Sequence, residues 1–384
     1  MSIVNTLLLV ILVFFTGTVC PMIGIANGNT LHLVVIALLC LLNADKIYET
    51  FSIDRYLRGV LLFLIVMLIV TFVLSKGDLV GVIGWITIPF ICALTLSLDN
   101  RSLKAMQIVL CIFFVAECLL AIYERKTNVA FFPYVEDDYY LSMVDLGQNW
   151  QFRSSSLLGN PLFNANFVSF SLCLLLCCDS IKVVYRYILA LLGLFAILGF
   201  NARGATIVTS CLVLYKLFMI LKGQKSKLNK YLFYALIVGS LYYAIDFVVN
   251  SDWGGRLMQN ELMDGSAQTR LSFSEYLNHI SLISFPTWVE TVNKSENSYL
   301  FILISYGFVL GVILIYSLLR LFFHYLSPYT RQVQILLFVS AIGVGSLNNN
   351  LAGPGLFSWF FMYLLAFRNE LTSKDYNNES IMVE

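Results

Sequence analysis

Charged side chains are scarce in this chain. Of its 384 residues only 12% are Asp, Glu, Lys or Arg, against 59% hydrophobic, and the mean hydropathy is +0.81. Soluble domains carry roughly 25% charged residues, so water is excluded as the main solvent. A dominant charge sign is also missing: 24 basic residues face 23 acidic ones. That near-balance leaves no global field of the kind that draws a protein to nucleic acid, and no nucleic-acid partner is expected. Any electrostatic argument has to be local.

Other absences narrow the class further. The nine cysteines all fall inside or at the ends of apolar runs, none in the long polar loops. This excludes a disulfide framework and leaves packing as their role. No paired ligands with a nearby His suggest zinc, so neither a metal nor a cofactor is expected. The apolar run 3–15 lacks a basic leader and a small-x-small cleavage site, and reads as an uncleaved first helix. Gly17 to Cys20 is superficially like a lipoprotein cleavage box, but Val19 is too large for the position before the cysteine. Internal repeats, low-complexity linkers and a soluble domain are all lacking; the short polar tail after Arg368 reads as disordered.

What remains is a series of apolar stretches. In hydrocarbon every backbone polar group must be bonded within its own segment, so stretches of roughly 17–25 apolar residues read as spanning helices. They fall at 3–23, 30–43, 58–75, 79–98, 103–123, 162–179, 184–200, 204–221, 231–249, 298–319, 332–347 and 353–368. The fold class is therefore all-α, a single polytopic membrane bundle over 1–384 with about twelve transmembrane helices. Fifteen of the 24 Lys and Arg fall in connections on one side and eight on the other, with Lys216 inside a helix. By the positive-inside rule the richer side, with both termini, is cytoplasmic. Two long loops, 124–160 and 250–297, then lie outside, and loops of that length in compact proteins are usually functional. Within the second, Phe273, Leu277, Ile280 and Ile283 recur at helical spacing, as expected of an amphipathic helix on the outer membrane face.

Three segments hold residues able to do chemistry. Asn201-Ala202-Arg203-Gly204 is squeezed between two apolar helices. An Arg there costs about 2.5–3.5 kcal/mol at a helix centre and less near an interface. Arg203 is either a snorkelling interfacial side chain or a fixed cation for an anionic group such as phosphate. Arg153-Ser154-Ser155-Ser156-Leu157-Leu158-Gly159-Asn160-Pro161 leads a polar loop into a helix; a turn with Pro at the first helical position explains Gly159 to Pro161 but not Arg153. The third segment runs from Arg270 through Phe285-Pro286 to Ser295-Glu296-Asn297-Ser298-Tyr299 and on to Gly307 and Gly311. There Ser295 or Asn297 is a candidate cap, with Glu296 favoured by the helix dipole. Alternatively, Glu296 is a carboxylate at the mouth of a membrane cavity, able to take a proton from an attacking hydroxyl.

Together and in this order, the three segments resemble the O-antigen polymerase (Wzy-type) and O-antigen ligase superfamily over roughly Arg153 to Gly311. The matching features are the Arg before Gly-Asn-Pro, the Ser-Arg-Gly-like turn at Ala202-Arg203-Gly204, the Arg270-to-Pro286 stretch, and Glu296-Asn297-x-x-Leu300 leading to Gly307. The ligase branch carries His where this chain has Glu296, and the glycines that usually follow the Pro are absent after Pro286. The resemblance implies a glycosyltransferase of the inner membrane, a polymerase of bacterial surface polysaccharide. It moves a glycan from undecaprenyl diphosphate to the non-reducing end of another lipid-linked repeat unit at the periplasmic face. It implies Arg153, Arg203 and Arg270 as diphosphate-binding residues, and Glu296 with Arg203 as catalytic. Loop Tyr and Trp would take sugars. Undecaprenyl-diphosphate-linked oligosaccharides and membrane lipid are the implied partners, with room for a chain-length regulator protein. The rival readings are a lipid-linked oligosaccharide flippase or other transporter, which tends to show internal halves and interrupted helices not evident in this sequence; a ligase of the same superfamily; and a metal-dependent membrane glycosyltransferase, for which the connection around 24–30 holds no acid.

The charge pattern makes a direct prediction. Reporters fused after Lys225 and after Lys374 are expected to read cytoplasmic, and fusions at Asp145 and Asp264 periplasmic. A cytoplasmic reading at either loop position overturns the orientation.

Overall fold

A computed structural model describes residues 3–16, 19–22, 24, 28–74, 79–131, 152–222, 298–346, 351 and 353–371, with single positions between 231 and 282. In chain order the helices are α1 (Ile3–Phe14), α2 (Val19–Met22), α3 (Gly28–Leu42), α4 (Ala44–Ile53), α5 (Arg55–Leu74), α6 (Leu79–Ser97) and α7 (Asn100–Thr127). There follow α8 (Pro161–Cys177), α9 (Val183–Gly199), α10 (Arg203–Lys222), α11 (Ser298–Leu326), α12 (Arg331–Phe338) with a π turn at Val339–Gly343, and α13 (Pro354–Ala366). No strand occurs among the described residues, only an isolated bridge between Cys178 and Leu371. The described part of the chain is all-helical.

Among the described residues four helices are long and apolar enough to cross a membrane, over Arg55–Val73, Asn100–Thr127, Arg203–Lys222 and Ser298–Leu326, with six shorter apolar helices beside them. Their outward faces are apolar as well: Leu62, Val66 and Ile69 on α5 and Ile108, Ile112 and Leu119 on α7 are each more than half exposed. Rows of exposed Leu, Ile and Val at helical spacing suit lipid and not water. The architecture is consistent with a multi-pass helical membrane protein. The expected span 231–249 lies largely outside the described residues, as do most of the two long loops.

The bundle is organised around α8, a helix hydrophobic all round and buried on nearly every face. It packs against α9, α10, α12 and α13. Phe167 of α8 meets Trp359 of α13 edge-on at 5.1 Å and Phe113 of α7 at 5.7 Å, while Phe113 stacks on Trp359 at 4.9 Å. Such pairs add about 0.5–1.5 kcal/mol each beyond burial. α7 begins at Asp99, which accepts from the Ser102 amide at 3.1 Å. Hydrogen bonds from Ser102 hold the exposed Asp99 carboxyl below its usual range.

Long-range hydrogen bonds sort the connections into two ends. At one end Tyr325 donates to Asp54 at 2.9 Å, Arg368 to the Thr95 carbonyl at 3.0 Å, and the Asp179 amide to the Glu370 carbonyl at 2.9 Å. At the other, the Ser154 amide donates to the Gly199 carbonyl at 3.2 Å and Thr16 to the Leu157 carbonyl.

The second expected helix ends where the sequence put it: α3 stops at Leu42, and the chain turns through 86° into α4, with Asn43 donating to the Leu39 carbonyl at 2.8 Å at the turn. Two expectations need correction. The stretch 298–319 is not one straight span, because α11 breaks at Gly307, with φ 78° and ψ 166°. A Cβ on Gly311 would lie 3.1 Å from the Leu303 Cα, a residue that a straight helix would hold about 12 Å away along its axis. The break frees two backbone donors, and the Phe308 and Val309 amides bond to the carbonyls of Ser281 and Leu282 at 2.9 and 3.1 Å. That contact is the reason for the second correction: Ile280, Ser281 and Leu282 are not helical, so the expected amphipathic helix does not run through them.

Gly307 occupies a backbone region open essentially to glycine alone, costing other residues about 1–3 kcal/mol. Gly307→Ala is expected to lower the thermal unfolding midpoint of the detergent-solubilised protein. Gly59→Ala, at an open helical glycine with nothing near its missing Cβ, should leave it level or raise it.

Candidate functional site

At the end of the bundle where α7 stops and α8 starts, a stretch of non-helical chain is buried. Ser154, Ser155 and Ser156 are all fully inaccessible, and Phe152 nearly so. Buried backbone outside a helix must find partners, and α7 supplies them. Glu117 and Glu124 lie two turns apart on one face of α7, both fully buried. The Glu124 carboxylate accepts from the Ser156 amide at 2.9 Å, the Ser154 hydroxyl, and the Phe131 amide at 2.8 Å. Glu117 accepts from the Leu157 amide at 3.0 Å through its carboxylate and from the Ser156 hydroxyl at 3.0 Å through its backbone carbonyl. Ser156 sits at φ 47° and Gly159 at φ 82°, so the segment reverses sharply before Asn160 caps α8, accepting from Leu162 and Phe163 at 3.0 and 3.1 Å. Pro161 then occupies the first helical turn, as the sequence suggested.

The Arg203 turn is tied to the same segment. Asn201 ends α9 in the left-handed region, φ 53°, a conformation that Asn tolerates. Its side chain donates to the Phe152 carbonyl at 3.2 Å, and the guanidinium of Arg125 donates to the same oxygen at 2.9 Å. Phe152 directly precedes Arg153, and Asn201 is two residues before Arg203. One shared carbonyl therefore brings Arg153 and Arg203 to the same end of the bundle, both half-buried. Close helix approach fixes the height: the position of a Cβ on Gly199 lies 3.0 Å from the Ala121 carbonyl, so α9 and α7 touch backbone to backbone there.

Of the residues singled out in the sequence, Arg153 and Arg203 are thus brought together, whereas Arg270 and Glu296 lie outside the described residues. So do Trp150 and Trp288; Trp253 is described, its ring centroid 6.0 Å from the Arg125 guanidinium carbon. Just after Glu296, the buried Ser298 donates to the Gly345 carbonyl at 3.3 Å and accepts from the Leu351 amide at 2.9 Å. Glu117, Glu124 and Arg125 were missed. Their signal was available: a carboxylate inside an apolar span, with a second carboxylate and a cation at its end, is costly unless it faces protein polar groups.

Chemically, the arrangement is a rigid mount for cations. Fully buried carboxylates hold the backbone, a fully buried Arg125 crosses it, and two less buried guanidiniums are carried at its edge. Guanidinium presents a planar fork that matches phosphate or carboxylate. No group of three or more His, Cys, Asp or Glu suited to a metal ion occurs among the described residues. In comparisons with known proteins, no family model and no curated protein matches the chain.

A Gln at position 124 would present an amide where donors now meet a carboxylate. Hydrogen bonds to charged groups contribute about 1.5–3 kcal/mol. Glu124→Gln is expected to destabilise the protein by that order, seen as a lower unfolding midpoint in detergent, whereas Lys126→Gln, two positions on and exposed, should leave the midpoint in place.

Proposed function

We propose that the protein is a polymerase of bacterial surface polysaccharide, working at the outer face of the cytoplasmic membrane with about twelve spans and both termini inside. The observation that carries this reading is the presence of Arg153 and Arg203 at the same end of an apolar bundle, Arg153 on a buried, carboxylate-held segment and Arg203 just after Asn201, which bonds to that segment. Two forked cations at the membrane edge suit a lipid-linked diphosphate, whose charge has to be balanced as it leaves. In the reaction, a hydroxyl at the non-reducing end of one lipid-linked repeat attacks the anomeric carbon of the other glycan. The bond from that carbon to the diphosphate oxygen breaks, and undecaprenyl diphosphate departs with the electron pair. The hydroxyl proton goes to a base, the role assigned to Glu296. Arg203, Arg153 and Arg270 stabilise the diphosphate, and the donor's own leaving group makes nucleotide unnecessary.

A lipid-linked oligosaccharide transporter is the second reading. It gains support from the break of α11 at Gly307, because interrupted helices are a transporter habit. The two readings part in detergent, where no compartments exist. Purified protein is expected to convert lipid-diphosphate-linked repeats into longer oligomers without nucleotide. Arg203→Ala should abolish the products while leaving protein level unchanged, and Arg203→Lys should restore part of the activity, since Lys supplies charge without the fork. Correctly folded protein that lengthens nothing, or an Arg203→Ala variant that is fully active, counts against the polymerase.

A further inference from the structure

At the opposite end of the bundle from Arg153 and Arg203, the first turns of α5 and the last third of α11 enclose an open cleft of about 410 Å³. Its rim carries two guanidiniums, Arg55 and Arg320, two phenols, Tyr56 and Tyr316, and the Ser317 hydroxyl; Val60 and Leu321 form the apolar floor. Among the described residues no carboxylate lines it. Asp54, next in sequence to Arg55, is otherwise engaged: it caps α5 by accepting from the Tyr56 and Leu57 amides at 3.0 Å each, accepts from Tyr325 at 2.9 Å, and lies 3.7 Å from His324. The Arg320 guanidinium is held in place by donating to the Tyr316 hydroxyl at 2.9 Å and lying 5.2 Å from the Tyr56 ring centroid. Neither contact neutralises its charge. Gly59 keeps the wall between the arginines open, since nothing lies within 4 Å of the Cβ it lacks.

The surroundings specify what an anion here would be attached to. Along α5, Leu62, Val66 and Ile69 continue away from the cleft as an exposed apolar row, and Val312 and Ile313 do the same on α11. An occupant with a phosphate at the arginines and hydrocarbon along these rows satisfies both surfaces. The cleft also belongs to the end with the larger share of Lys and Arg, the side that the charge rule puts in the cytoplasm, where anionic lipid concentrates and basic pockets between helices take headgroups.

We propose that this cleft binds the headgroup phosphate of an anionic phospholipid of the inner leaflet, its acyl chains lying along the α5–α11 seam. Full-length protein in detergent, titrated with phosphatidylglycerol, phosphatidylcholine and inorganic phosphate by native mass spectrometry, tests it. Phosphatidylglycerol is expected to bind about ten-fold or more tighter than phosphatidylcholine, and inorganic phosphate should not displace it. Arg55→Ala with Arg320→Ala should weaken phosphatidylglycerol about thirty-fold. Gly59→Leu, which keeps both cations but fills the wall, should weaken it comparably. Arg101→Ala with Lys104→Ala, exposed at the same end but outside the cleft, should bind as the parent does. Equal affinity for the two lipids, displacement by inorganic phosphate, undiminished binding by the Arg55/Arg320 or Gly59 variants, or a matching loss in the Arg101/Lys104 variant would each overturn the assignment.

Discussion

Backbone that leaves the helical state among apolar helices loses its internal hydrogen bonds, and lipid offers none in exchange. Three breaks in the helices among the described residues are arranged around that constraint. Where the chain enters α8, two carboxylates of α7 take up the amides of 156 and 157. Where α11 breaks, the carbonyls of 281 and 282 take up the amides of 308 and 309. Where α3 ends, the Asn43 side chain turns back on its own helix. The choice of Glu at 124 follows: its carboxylate accepts three hydrogen bonds at once, more than the two lone pairs of a hydroxyl allow.

The consequence for function is rigidity at one end. Arg153 and Arg203 belong to segments separated by two helices in sequence, yet both are positioned through the Phe152 carbonyl, which Arg125 and Asn201 share. A cation site gains from being held before an anionic ligand arrives, because less ordering remains to be done on binding. The opposite end is built differently. There Asp54, Tyr325, His324 and Arg368 stitch helix ends together, and the exposed arginines Arg55 and Arg320 border an open cleft without a carboxylate.

How much of this was legible beforehand differs by residue. The Gly159-Asn160-Pro161 turn was readable because each residue has a local physical meaning: positive φ, a cap, and a fixed φ without a donor. The break at Gly307 was not, since glycine inside an apolar run is compatible with a continuous helix and only the partners at 281 and 282 make the interruption tolerable. Glu117 and Glu124 went unremarked because their role depends on a segment about 30–40 residues away in sequence.

By itself, then, the sequence determined the apolar surroundings, the helical class and the positions of most of the described helices, because hydropathy acts on each segment locally. The tertiary structure alone decided that 152–157 is buried instead of looping outward, that Arg153 and Arg203 share one mount, and that α11 folds back at Gly307. Those outcomes turn on which carbonyl or carboxylate stands opposite each unbonded amide, and that is set only when distant helices pack.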